Sequence, residues 1–134
     1  MNPNKALWYI LTNDAQVSAT TTNIFQLRLP QGSTYPAITL QRISDVPYSD
    51  KDGNTFFDAR IQVNSFAENY NDAQSLAGKV SNVLDRHAGG IINGINIVQI
   101  DLVNTTDLSE DFSEFDGIVQ IAQDYMVHYL RGDS

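Results

Sequence analysis

The chain of 134 residues predicts an α+β fold: a largely antiparallel β-sheet of about five strands with two main helices packed on one face. Three observations predict it. In residues 55–64, Phe57, Ala59, Ile61 and Val63 alternate with Asp58, Arg60, Gln62 and Asn64. That period of two puts apolar groups on one sheet face and polar groups on the other. Directly after it, Ala73, Leu76, Ala77, Val80, Val83, Leu84 and His87 recur at helical spacing among polar residues, which gives a helix with one apolar stripe. Finally, runs of strands are interrupted by helices, the order expected when helices cover a sheet. Residues 55–87 are the unit around which the other elements should dock.

From the N-terminus, residues 3–13 read as a first helix, with Asn2 or Asn4 as its cap, and residues 13–17 as a second short turn. The β-branched run Ser18-Ala19-Thr20-Thr21-Thr22 ends the helical region. Residues 24–29 form a short strand of mixed face, stopped by Pro30-Gln31-Gly32. Pro36 opens the next strand, residues 37–44, where a proline costs no ladder bond. A loop follows, with Asp52-Gly53 its sharpest turn signal. After the anchor strand, Asn71 is the expected helix N-cap, with Gln74 completing a capping box, and Gly89-Gly90 ends the helix. Asn93-Gly94 marks a turn before a strand over residues 95–103, with Val98, Ile100 and Leu102 on one face. Residues 105–117 read as a long acidic connection. The last strand, 118–130, sets Val119, Ile121, Tyr125, Val127 and Tyr129 against Gln120, Asp124 and His128. A single domain over residues 1–134 is expected, with mobile loops at 45–55 and 105–117.

Composition narrows the function classes. The chain has no cysteine, which excludes disulfides, thiolate metal sites and a cysteine nucleophile. Its start lacks a basic segment followed by an apolar core, and no stretch approaches the roughly 20 apolar residues of a membrane helix. A soluble, non-secreted protein with no membrane partner is expected. Sixteen acidic against eight basic side chains give a net charge of −8, which opposes a duplex-gripping surface. An acidic wall does suit a surface that DNA must slide past.

The chemistry-bearing motifs are weak. There is no phosphate loop, G-x-S-x-G or H-E-x-x-H. Asp50, Asp52 and Asn54 start like a calcium loop, but Thr55 and Ile61 stand where Gly and Glu are needed. A plain turn is the better reading. His87 and His128 are the only histidines, and a zinc site would need carboxylates for its remaining ligands. Asp58 and Asp124 would form a general acid/base pair only if their strands were neighbours. Carboxylates on a solvated sheet face are far commoner. Arg131-Gly132-Asp133 spells an adhesion tripeptide in what reads as a frayed tail. In the acidic segment, Leu108, Phe112 and Phe115 either tuck under the domain or await a partner. No catalytic residue, cofactor or metal is assigned.

The ordered series Leu29-Pro30-Gln31-Gly32 and Tyr35-Pro36-Ala37-Ile38-Thr39-Leu40-Gln41-Arg42-Ile43-Ser44 resembles the tail completion, or tail terminator, proteins of long-tailed (siphovirus-type) phages. So does Arg60-Ile61-Gln62-Val63 followed by Ser65-Phe66, Tyr70, Asp72-Ala73 and Leu76-Ala77. The closing Gln123-Asp124-Tyr125-Met126-Val127-His128-Tyr129 is similar to the family's last strand. The resemblance covers residues 27–129; residues 1–23 add only a helix of matching length.

The resemblance implies a homo-oligomeric ring, usually a hexamer, that caps the finished tail tube in the virion. It would stop polymerisation of the tube protein and dock the head-completion (stopper) protein of the neck, with DNA passing through the hole unread. A closing ring needs two different complementary patches on each subunit. Candidate contact surfaces are the polar sheet face at Asp58 and Arg60, the first loop at Asp52, and the second loop at Asp111, Phe112, Glu114 and Phe115. A head-closure protein of the connector is the alternative. A small hydrolase using Asp58 or Asp124, or an adaptor with no phage role, ranks lower.

Overall fold

In the computed structural model, the described residues are 3–49, 55–87, 89–92, 94–109 and 118–130. They form α1 (Pro3–Thr12), α2 (Ala15–Thr20), β1 (Ile24–Gln26), β2 (Ala37–Ser49), β3 (Thr55–Ala67), α3 (Tyr70–Leu84), β4 (Gly90–Ile92), β5 (Ile95–Ser109) and β6 (Val119–Leu130). One curled sheet has the order β1-β2-β3-β6-β5-β4. Only β1 runs parallel to its neighbour, with Ile24 level with Ile38; the other pairings are antiparallel.

This corrects the expected fold class. The sheet is six-stranded and mixed, and three helices accompany it, where the sequence suggested about five antiparallel strands and two helices. The physical reason is length. The sixth strand is β4, whose three residues are too few for alternation to register; the strand expected over residues 24–29 is present, shortened to the three residues of β1 and parallel to its neighbour. The six-residue α2, read as a turn, forms because Asp14 caps it, its carboxylate accepting from the Val17 N–H at 3.0 Å.

Two strands also outrun their expected ends. Residues 45–49, read as loop, continue β2, and residues 104–109 continue β5. Register shifts mark Ile43 as an extra residue in β2, and Val98 and Val103 as extra residues in β5. A bulge moves the side-chain phase by one, so alternation breaks although the ladder does not. The expected ends at 44 and 103 sit at these bulges. The shift also corrects the face of Val98, which is 47% exposed, while Ile97 and Ile100 are buried.

The anchor unit builds the core. Ala59, Ile61 and Val63 of β3 meet Tyr125, Val127 and Tyr129 of β6 on one face, and Leu76, Val80 and Leu84 of α3 pack over them with Leu7 and Leu11 of α1. Phe57 stacks on Tyr129, ring centroids 5.2 Å apart. Helix α3 begins two residues earlier than expected. Its cap is Asn69, whose side chain accepts from the Asp72 N–H and donates to the Asp72 carboxylate, both at 2.9 Å. The reciprocal pair is therefore Asn69 with Asp72, displacing Asn71 with Gln74.

The helix ends at Leu84, so His87 lies beyond it and bridges to Ile100 of β5. Asp85 accepts from the Leu102 N–H at 2.9 Å, and the Arg86 N–H donates to the Ile100 carbonyl at 2.7 Å. The chain thus leaves α3 pressed against β5. Gly89, at φ +86°, completes this passage: a Cβ there would come within 2.3 Å of the Ile97 carbonyl oxygen.

Two glycines should therefore respond oppositely to alanine. Gly89→Ala combines a positive φ with a backbone clash and should destabilise by about 1–3 kcal/mol. Gly78, inside α3 with nothing within 4 Å of an added Cβ, should gain about 0.5–1 kcal/mol as alanine. Chemical denaturation midpoints of the two variants check both signs.

Candidate functional site: the polar face of the sheet

The ladder between β3 and β6 decides which polar groups share the face opposite the helices. Asp58 is level with His128, Arg60 with Met126, Gln62 with Asp124 and Asn64 with Ala122. Three polar rungs result. In the first, His128 Nδ1 lies 2.5 Å from Asp58 Oδ1 on β3, and its Nε2 lies 3.7 Å from Asp101 Oδ2 on β5. Gln99 donates to Asp101 at 2.8 Å. In the second, Arg60 donates to Asp124 Oδ2 through Nη2 at 2.8 Å and Nε at 3.3 Å, and Gln62 donates to Oδ1 at 3.1 Å. In the third, Gln120 donates to Asn64 at 2.8 Å, and Asn64 donates to Thr39 of β2 at 3.2 Å.

Water access to the accepting group falls from rung to rung. The Asp58 and His128 side chains keep about a third of their surface, Asp124 keeps 12%, and Asn64 and Thr39 are buried. A charge as shielded as Asp124 needs partners, and all of them are side chains of β3. This rung pins the two central strands together.

Of the residues singled out in the sequence, Asp58 and Arg60 lie on this face. They act on different partners, Asp58 on His128 and Arg60 on Asp124. The strands of Asp58 and Asp124 are neighbours, as a general acid/base pair would require. The register nonetheless separates the two carboxylates by four residues, roughly 13 Å along the strand. Arg60 stands between them. Asp52, Asp111, Phe112, Glu114 and Phe115 lie outside the described residues, as do Asp50, Asn54 and the Arg131-Gly132-Asp133 tripeptide. Among the described residues, no group of three or more His, Asp or Glu could hold a metal ion. His87 accepts the Gly89 N–H on Nδ1 at 3.1 Å.

Sequence reasoning missed Asp101 and Asp45. Asp101 joins the polar face only because the bulge at Val98 resets the phase of β5. Asp45, expected in a loop, reaches across from β2 to accept the Tyr129 hydroxyl at 2.5 Å and to pair with Arg42 at 3.3 Å. Burial, then this hydrogen bond, pushes the Tyr129 phenol well above the usual tyrosine range, and burial does the same to Tyr125. At the far end of β5, Tyr70 donates to Asp107 at 2.8 Å, a bond that raises its pKa too.

Residues 5–123 match the family model described as Tail completion protein gp17. Among solved structures, the chain is similar to one described as the virion of a native gene transfer agent (GTA) particle. The TM-score is 0.72 at 18% identity, over 96% of this chain and 94% of that one. That likeness is one of fold. No curated protein matches the chain.

Two outcomes follow from these rungs. Arg60→Ala leaves Asp124 shielded with Gln62 alone and should destabilise by about 1–3 kcal/mol. The double variant Arg60→Met/Asp124→Leu should lose less than the single one, and denaturant titration compares them. Tyr125 and Tyr129 have phenols raised in the fold above the ordinary value of 10.0. Their contribution is present below about pH 10 and is lost above it, as the unfolded phenols ionise first. Stability should be level through neutral pH and fall above about pH 10. The fall should be shallower in Tyr129→Phe, which also gives up about 1 kcal/mol at neutral pH.

Proposed function

The chain belongs to the Tail completion protein gp17 family and so is a structural protein of the phage virion, of its tail or head–tail region; from that premise we propose that it terminates the tail. Copies close into a ring, a hexamer in our reading, over the finished tube. The ring stops further addition of tube protein and presents a docking surface to the stopper protein of the neck, while DNA passes through its hole. The family match across residues 5–123 carries this reading.

Two features of the chain support it. The strand pairs β2–β3 and β5–β6 turn at opposite ends of the sheet: Ser49 is level with Thr55 at one end, and Ser109 with Val119 at the other. The connecting segments 50–54 and 110–117 are therefore attached at opposite ends of the sheet. One, with Asp52, suits one neighbour along the tail axis; the other, with Asp111, Phe112, Glu114 and Phe115, suits the second. The polar face, with Asp58 and Arg60, remains as a further contact surface. A net charge of −8 keeps phosphate from adhering to a channel wall.

Imaging of particles made with and without the chain tests the proposal. Without it, tails of uncontrolled length that fail to join heads should accumulate. Tails of normal length that still join heads would overturn it.

A further inference from the structure

The two borders of the sheet are stepped. On one side β1 covers β2 only at residues 38–40, and the Leu27 N–H adds one bond to the Leu40 carbonyl. No described strand lies outside β2 from there to Ser49. On the other side β4 covers β5 only at residues 95–97. The passage after α3 then takes Ile100 and Leu102, and from Val103 to Ser109 no described strand lies outside β5. Each border thus has one projecting three-residue strand and one bare stretch.

Following the ladders across the sheet shows that step and notch are complementary. Phe25 of β1 is level with Thr39, then Asn64, Ala122 and Thr106. The projecting β1 therefore stands at the height of the bare part of β5, and Gln26 presents its N–H and carbonyl there, those of Ile24 being bonded to the Thr22 carbonyl and Trp8 Nε1. Ile91 of β4 is level with Asn96, then Leu130, Phe56 and Tyr48. The projecting β4 stands at the height of the bare part of β2. A second copy set beside the first, with no shift along the strands, would bring β1 against bare β5 and β4 against bare β2 at once.

The side chains on the borders agree. Of the eleven large hydrophobic side chains exposed among the described residues, eight lie on them. Leu27, Ile43, Val46 and Tyr48 are on one side; Ile91, Val98, Val103 and Leu108 are on the other. Three of the eight, Ile43, Val98 and Val103, are the bulge residues themselves. Ile91, 79% exposed, would meet Tyr48, 45% exposed, and extend its stack on Phe56. Charge is complementary too. Residues 24–49 carry Arg28, Arg42 and Asp45, whereas the charged side chains of β5 are Asp101 and Asp107. Pro47 withholds one donor from the bare edge of β2, which limits pairing with unrelated strands.

We propose that neighbouring copies of this chain join head to tail by continuing the sheet, β1 of one copy antiparallel to residues 103–109 of the next copy's β5, and β2 of the first parallel to the next copy's β4. The inference rests on the ring reading above and gives it its contact. Two different borders meet, so the contact is head to tail, the type that closes into rings or builds filaments. Engagement without displacement along the strands favours closure over a rising filament. The polar face of β3 and β6 stays free of the contact.

Disulfide trapping tests this, and the cysteine-free chain makes it clean. Two pairs are introduced separately, Phe25→Cys with Thr106→Cys and Tyr48→Cys with Ile91→Cys, and virion particles carrying each variant are oxidised. Both pairs should give a ladder of covalent multimers up to a closed species, and each single variant should stay monomeric. The second pair, both exposed side chains, decides if Phe25→Cys impairs folding. A ring seen by imaging without cross-links in either pair would overturn the edge contact and leave the ring reading standing. Isolated copies in the particle would overturn both. Single variants that dimerise as readily as the pairs form ladders would mean a two-fold contact and overturn the inference.

Discussion

The antiparallel ladder between β3 and β6 is the constraint on which the rest of the molecule depends. Twelve residues of each strand are paired without a shift, from Phe56 with Leu130 to Ala67 with Val119. Side chains alternate with a period of two, so this one register assigns every residue of both central strands to a face. It sends Ala59, Ile61, Val63, Tyr125, Val127 and Tyr129 under the helices. It also sets Arg60 and Gln62 around Asp124. A slip by one residue would bury the charges and expose the core together. Register is held from both faces at once.

Around this regular centre, the outer strands are irregular, and the irregularity is confined to them. Register shifts occur in β2 and β5, none between β3 and β6. A bulge bends a strand and raises its twist, which suits a sheet that curls around three helices. The same bulges turn Ile43, Val98 and Val103 outward. Curvature and an apolar border thus come from one device. An exposed apolar edge is a hazard for a protein meant to stay alone. It is an asset for a structural protein of a virion, whose work is to meet neighbours.

That work explains why the polar face is built as it is. Its groups are spent on each other: Asp58 on His128, Asp124 on Arg60 and Gln62, Asn64 on Gln120 and Thr39. Cross-strand bonds of this kind stiffen a sheet. A stiff sheet suits a protein that assembles with other virion proteins.

The sequence by itself determined the regular parts. Alternation over residues 55–64 and 118–130 marked both central strands, and the helical stripe from Ala73 to Leu84 marked α3. The polar face at Asp58 and Arg60 was legible for the same reason, because periodicity is a local property that burial on one side imposes. Its family was legible too, in the order of motifs from Leu29 to Tyr129. Only tertiary structure decided the rest. A three-residue strand carries no period, and β4 exists because β5 offers it a partner; β1 was legible as a strand, but its parallel pairing with β2 and its end at Gln26 were not. The bulges at Ile43 and Val103 hid the far halves of β2 and β5, and the bulges at Ile43 and Val98 hid the roles of Asp45 and Asp101, since an extra residue reverses the alternation. The partner of each polar group, and the level at which one border meets another, depend on pairing between strands far apart in the chain, which no local pattern encodes.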